Sequence, residues 1–285
     1  MLPHIKLIEC PRDAMQGIKD FIPTNVKIKY LNILLKAGFD TIDIGSFVSP
    51  AAIPQLKDTA EVLDKIEWQD SVSKLLVIVA NRRGIDEAVK YPMVTYLGYP
   101  FSISETFQQR NTNASIADAL EQVKYLKEQC EKHNKIPVVY ISMGFGNPYG
   151  DPWNVDIAAT WAGKLAEIGI PVLSLSDTIG VADTDSISYL FSGLIPAFPN
   201  VEFGAHLHTI PWQWKPKIET AYQSGCRRFD GAIKGFGGCP MAADDLTGNM
   251  PTEHLIVFFR EQLPQFKHYL LPEILHAADE VFLTH

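Results

Sequence analysis

The sequence predicts an α/β protein folded as a single-domain (β/α)8 TIM barrel, and three observations predict it. Short β-branched or apolar runs alternate with longer amphipathic segments in eight successive pairs, the pattern of repeated βα units around a parallel sheet. Several helical stretches end alike, with Gly38, Gly169 and Gly225 standing where a left-handed C-cap is favourable and a strand follows within a few residues. Eight units in 285 residues fit a closed barrel better than an open doubly wound sheet, which uses about five or six strands. The rival architecture also lacks its signatures. No G-x-G-x-x-G follows the first run, and no G-x-x-x-x-G-K-[ST] occurs.

Taken in order, strands are expected over residues 5–9, 41–44, 74–80, 93–99, 137–143, 172–176, 202–207 and 228–232. The clearest helices are residues 25–37, 115–133, 155–168 and 212–224. No linker composition interrupts the series, so one domain over residues 1–285 is expected.

Apolar residues make up 46% and charged residues 20%, with 19 Gly and 19 Pro, which excludes disordered, collagen-like and coiled-coil classes. The net charge of −8 argues against a nucleic-acid partner, because gripping phosphate requires a basic face. Cys10, Cys130, Cys226 and Cys239 form no C-x-x-C pair, so neither a disulfide framework nor a zinc knuckle is read. The first residues lack signal-peptide character, and no apolar run approaches the ~20 residues that span a bilayer. A cytoplasmic protein with reduced thiols and no membrane partner is expected.

In a barrel, reactive groups belong at the C-terminal ends of strands and in the loops after them. After the first strand comes Cys10-Pro11-Arg12-Asp13-Ala14-Met15-Gln16-Gly17, read as a short loop. Its charged pair is either functional or a turn stabilised by an exposed Arg–Asp contact. At the seventh strand's end, His206 and His208 point to one face because side chains alternate. Two converging imidazoles can hold a divalent cation, although a lone H-x-H is commonly incidental. After the eighth strand, glycines at 235, 237 and 238 precede Cys239, a placement that favours a presented thiol over a structural one. Asn249 offers a carbonyl oxygen to a metal or caps the helix that begins near Pro251. Asp43 and Asp177 place acids near the same rim, as partners of the site or as helix caps.

Together these residues resemble the 3-hydroxy-3-methylglutaryl-CoA lyase family of metal-dependent TIM barrels, over most of the chain. Pro11-Arg12-Asp13 with Gln16 matches the family's phrase after strand one, and Ser46-Phe47-Val48-Ser49-Pro50 its S-F-V-S-P. The stretch from Arg110 to Ile116, Asp177-Thr178-Ile179-Gly180-Val181, His206-Leu207-His208, Gly237-Gly238-Cys239-Pro240 and Thr247-Gly248-Asn249 follow in the family's order. The resemblance implies that Asp13, His206, His208 and Asn249 hold a divalent metal, Mg²⁺ or Mn²⁺. It implies that Arg12 polarises a thioester carbonyl, that Cys239 closes over the site as proton donor, and that Asp43 and Asp177 orient ligands. Asp13 and His206 both remain candidates for the general base. An acyl-CoA substrate of leucine breakdown, cleaved to acetyl-CoA and acetoacetate, and a homodimeric assembly are implied with them.

Three departures stand at the rim. Ala14 replaces the family's glycine after the aspartate, Thr209 replaces the acid of H-x-H-D-T, and Asn147 stands where a cysteine is common. Trp212 and Trp214 follow Thr209, and either a narrowed pocket or stacking on an adenine or other planar ligand is expected from them. Two other readings stay open: a Claisen-type acyltransferase condensing acetyl-CoA with a 2-oxo acid, and a ligand-binding barrel without turnover. Arg12 and Lys234 are further expected among the cations that meet the CoA phosphates.

Overall fold

The computed structural model describes residues 4–238, 247–263 and 271–283. Eight parallel strands close into a barrel in sequence order: β1 (Lys6–Glu9), β2 (Thr41–Ser46), β3 (Lys74–Ile78), β4 (Val94–Ser102), β5 (Ile136–Ser142), β6 (Val172–Asp177), β7 (Glu202–Leu207) and β8 (Arg228–Gly231). The ring is completed by pairing of β1 with β8, Lys6 opposite Arg228 through Glu9 opposite Gly231. Helices α1 (Pro11–Gln16), α2 (Thr24–Ala37), α3 (Thr59–Lys65), α4 (Arg82–Ala88), α5 (Glu105–Thr112), α6 (Ile116–Lys132), α7 (Val155–Ile168), α8 (Thr184–Ala197), α9 (Trp214–Gln223), α10 (Thr252–Gln262) and α11 (Leu271–Phe282) surround it.

All eight expected strands are present, and Gly38, Gly169 and Gly225 adopt the left-handed conformation expected of them. Most boundaries differ from expectation by one or two residues, and three differences have a local cause. Residues 11–16 form α1 rather than a loop, because Pro11 at the first helical position has its φ pre-set and no N–H to lose. β4 runs on through Pro100 to Ser102, since its neighbour β5 continues the pairing. The helix expected from residue 212 begins at Trp214, after a turn in which Gln213 N–H donates to the Ile210 carbonyl.

Most apolar burial lies between sheet and helices, where Leu7, Ile42, Val77, Leu97, Val139 and Leu173 face the helical ring. Residues of opposite parity fill the barrel. From β3 to β5 these are Leu76, Ile78, Tyr96, Val138 and Tyr140, joined by Val172 at the start of β6. From β6 to β8 the inward positions become polar: Ser174, Ser176, His206, Arg228 and Asp230. At the N-terminal face Glu202 pairs with both Lys6 and Arg228, leaving the C-terminal face for chemistry. No helix of the described residues is long and apolar enough to cross a membrane.

Candidate active site

Because α1 follows β1 after a single residue, its first turn brings Arg12 and Asp13 over the barrel mouth. Both are buried, at 8% and 6% exposure, which overturns the reading of an exposed turn pair. Arg12 donates through Nε (2.9 Å) and Nη2 to Asp43 Oδ2, and through Nη1 to Asp13 Oδ1 (3.0 Å) and Gln16 Oε1 (2.9 Å). Four of its five hydrogens are thereby committed, and its guanidinium lines a cavity of about 370 Å³. Asp43, on β2, is wholly buried behind Arg12. Burial pushes its carboxyl up to about 6 against the pull of Arg12.

Asp13 Oδ2 accepts from Asn249 Nδ2 (2.6 Å), whose second hydrogen goes to the Phe236 carbonyl (2.9 Å). Asn249 therefore does not cap α10, whose first turn has no side-chain cap; its amide oxygen is left for another partner. One glycine of the run before Cys239 is required by this contact. Gly237 has φ +102°, and a Cβ there would stand 2.6 Å from Asn249 Nδ2 and 2.8 Å from the Asp13 carbonyl. Cys239 itself lies outside the described residues.

His206 and His208 share a face as their alternation requires, with ring centroids 5.4 Å apart. Ligand atoms of Asp13, His206 and His208 all lie within 4.8 Å of one another. Burial and then the neighbouring His206 push His208 down to about 4, so its ring is neutral and keeps a lone pair. Burial works against a charged Asp13, yet Arg12 and the two histidines hold its carboxyl below the usual range. His206 Nδ1 meets Asp230 Oδ2 at 3.1 Å. Although burial opposes protonation of His206, Asp230 outweighs it and raises the imidazole above its ordinary value. With Nδ1 engaged, Nε2 is the nitrogen left for a cation.

One carboxylate and two imidazoles form a mixed N/O donor set that fits a divalent cation. Cys10, His206 and Asp230 form a second group within 4.8 Å. Burial pushes the Cys10 thiol well up, with Asp230 and Asp43 adding to it, so this trio lacks the thiolate a metal would need. Its chemistry fits holding the His206 ring.

The profile of the HMGL-like family matches residues 5–281. The chain belongs to that family. It is 33% identical over 268 residues to Hydroxymethylglutaryl-CoA lyase YngG of Bacillus subtilis, covering 94% of this chain and 88% of the relative. To the 3-hydroxy-3-isohexenylglutaryl-CoA/hydroxy-methylglutaryl-CoA lyase of Pseudomonas aeruginosa it is 32% identical over 253 residues, covering 88% and 83%. An HMG-CoA lyase from Acinetobacter baumannii, solved in complex with coenzyme A and 3-methylmalate, superposes with a TM-score of 0.89 at 27% identity, over 99% of this chain and 92% of that one.

Against the HMGL-like pattern two of the rim departures, Ala14 and Asn147, now have local accounts. Ala14 packs inside α1, 4% exposed. Asn147 braces its own loop, accepting from the N–H groups of Tyr149 (3.0 Å) and Asp151 (3.1 Å). Neither tryptophan narrows the pocket: Trp212 is 76% exposed, Trp214 stacks on His254 at 4.5 Å, and among the described residues the cavity is lined by others. Arg12 is committed to carboxylates and Lys234 to Asp279, so neither is a free cation for phosphate.

Asp177 does not line the cavity; its carboxylate accepts from Lys217 Nζ at 2.7 Å. Sequence reasoning missed Asp230, Lys217 and Glu9. Asp230 was within reach, since alternation along β8 turns it inward one row from His206. Lys217 carried no signal, because a lysine in an amphipathic helix reads as solvated. Glu9, at the end of β1, accepts from Ile233 N–H (3.0 Å) and Thr252 Oγ1 (2.5 Å), tying β1 to both ends of the segment that carries Asn249.

Proposed function

We propose that this HMGL-like protein is a divalent-metal-dependent carbon–carbon lyase that cleaves 3-hydroxy-3-methylglutaryl-CoA, or a close 3-hydroxyacyl-CoA, to acetyl-CoA and acetoacetate. The observation that carries the reading is the convergence of Asp13, His206 and His208 within 4.8 Å on a cavity that also exposes Arg12. Cleavage removes the proton of the C3 hydroxyl, makes C3 a ketone, breaks the C2–C3 bond and leaves its electron pair on C2 as a thioester enolate.

Asp13, His206, His208 and Asn249 would hold Mg²⁺ or Mn²⁺, which supplies Lewis acidity that lowers the pKa of a coordinated hydroxyl. Arg12 has one uncommitted hydrogen and stays charged at any working pH. It is the group to donate to the thioester oxygen as enolate charge develops. Asp43 fixes the guanidinium plane from behind by taking both Nε and Nη2. Asp13 is the group to take the hydroxyl proton, because His206 has Nδ1 on Asp230 and Nε2 turned to the cation. Cys239 protonates C2 and releases acetyl-CoA. Asp177 acts from behind His208 rather than from the cavity. Arg110, Asn111 and Asn113 line the cavity mouth and suit the polar arm of coenzyme A. A single domain, a homodimer and a cytoplasmic location complete the reading.

The deciding experiment is turnover of an acyl-CoA panel with added Mg²⁺ or Mn²⁺, including the 3-methyl and 3-isohexenyl glutaryl thioesters. Acetoacetate from the 3-methyl compound supports the lyase. Thiol release from acetyl-CoA and a 2-oxo acid, without cleavage, would replace it with the transferase.

A further inference from the structure

We infer that Lys217, on α9, is a positioning residue that sets the aim of the His208 imidazole through the His208 main chain. The inference rests on the metal-site reading above. Lys217 is 3% exposed, and burying an ammonium is strongly unfavourable unless protein acceptors replace the water its donors give up. All three are. Nζ donates to Asp177 Oδ2 at 2.7 Å, to the His208 carbonyl at 2.8 Å and to the Gly180 carbonyl at 3.0 Å. One buried cation thus joins the end of β6, the loop after it and the residue that follows β7.

The contact with His208 is the informative one. Pairing between β6 and β7 ends at Asp177 opposite Leu207, and pairing of β7 with β8 ends earlier, at Ala205 opposite Phe229. His208 therefore stands just past the sheet, where no strand neighbour fixes its peptide plane. Its backbone is held instead by a single bridge to Asn249 and by Lys217. Thr209 N–H donates to the Gly248 carbonyl at 3.0 Å, so the Asn249 segment is docked on the same stretch. A rotation of the His208 peptide would carry the imidazole away from Asp13 and disturb the seat of Asn249. Asp177 supplies the counter-charge that lets the ammonium remain in this dry position.

The test is Mn²⁺ affinity, read from the free-ion electron paramagnetic resonance signal without substrate, together with the melting temperature. Lys217→Met keeps the chain length and removes the donors. Because it strands the Asp177 carboxylate, the double variant Lys217→Met/Asp177→Asn is measured beside it, with no buried charge unpaired. Both variants should bind Mn²⁺ about 10–100-fold more weakly than wild type, the loss typical of a lost outer partner of a metal ligand. The double variant should melt higher than the single one without regaining affinity. Wild-type affinity in a folded variant, or affinity that returns together with the melting temperature, overturns the positioning role and leaves only a structural one. A wild-type protein that binds no Mn²⁺ overturns the metal-site reading and this inference with it.

Discussion

From β3 to β5 the barrel interior is packed with Leu76, Ile78, Tyr96, Val138 and Tyr140. Across the ring, from β6 to β8, inward positions of the same barrel hold Ser174, Ser176, His206, Arg228 and Asp230. The first side is stabilised by removing apolar surface from water, which is indifferent to direction. The second carries buried charges whose burial is unfavourable unless each finds a partner in the right place. Arg228, wholly buried, leans on Glu202 and on the ring of Tyr96, and Asp230 on His206. The apolar side gives the barrel its stability; the polar side spends some of that stability on aiming side chains. Substitutions on the two sides should therefore fail in different ways.

The largest effect is expected from His206→Ala, which removes one of the three converging donors. Mn²⁺-dependent cleavage should disappear and Mn²⁺ affinity should collapse while the protein stays folded. Unchanged affinity would remove His206 from the donor set. Next comes Glu9→Gln. Burial raises the Glu9 carboxyl from 4.5 to about 8, against the hydrogen bonds from Thr252 and Ile233. A raised carboxyl lends stability that is complete below 4.5 and is lost as pH climbs to about 8. Wild type should weaken relative to the Gln variant over that window, by up to roughly 4–5 kcal/mol at about 1.4 kcal/mol per unit of displacement. Parallel curves of denaturant stability against pH would show that Glu9 does not carry this proton.

On the apolar side, Leu76→Ala should cost about 2–5 kcal/mol of stability, as cavities in packed cores do. Mn²⁺ affinity per folded molecule should stay at the wild-type value; a loss there would mean that the two sides are mechanically coupled. The smallest effect is expected from Asp230→Asn, which keeps the shape but weakens the hold on His206 Nδ1. Affinity for Mn²⁺ should fall about 10–100-fold with little change in melting, and a change in melting alone would make Asp230 a packing residue.

The comparison also marks what could be read before folding. Alternation of short apolar or β-branched runs with amphipathic segments located every strand, most clearly where burial on both faces leaves an uninterrupted apolar run such as Leu75–Val79. The same signal failed at α1, where six residues are too few to show a helical period and the proline reads as a loop. Of the site, His206 and His208 were legible from alternation at a strand end, whereas Asp13 and Asn249 were named as donors through the family resemblance. Their supports were hidden for a physical reason. Asp230 looks like any polar residue in a short strand, Glu9 like a strand-ending acid, and Lys217 like a surface lysine. What distinguishes each is a partner that only folding brings near: the neighbouring strand for Asp230, the end of β6 for Lys217 and closure of the ring for Glu9.

That dependence reaches furthest in the bond between Asn249 and Asp13, which are 236 positions apart in the chain. A ribosome that has delivered β1 to β6 has already produced Asp13, but neither histidine nor Asn249 to place beside it. The pocket can form only after β8 has docked on β1, a contact between distant segments of the kind that forms slowly. Cation capture by a nascent or refolding chain would then work as a clock for ring closure, starting when the last strand finds the first.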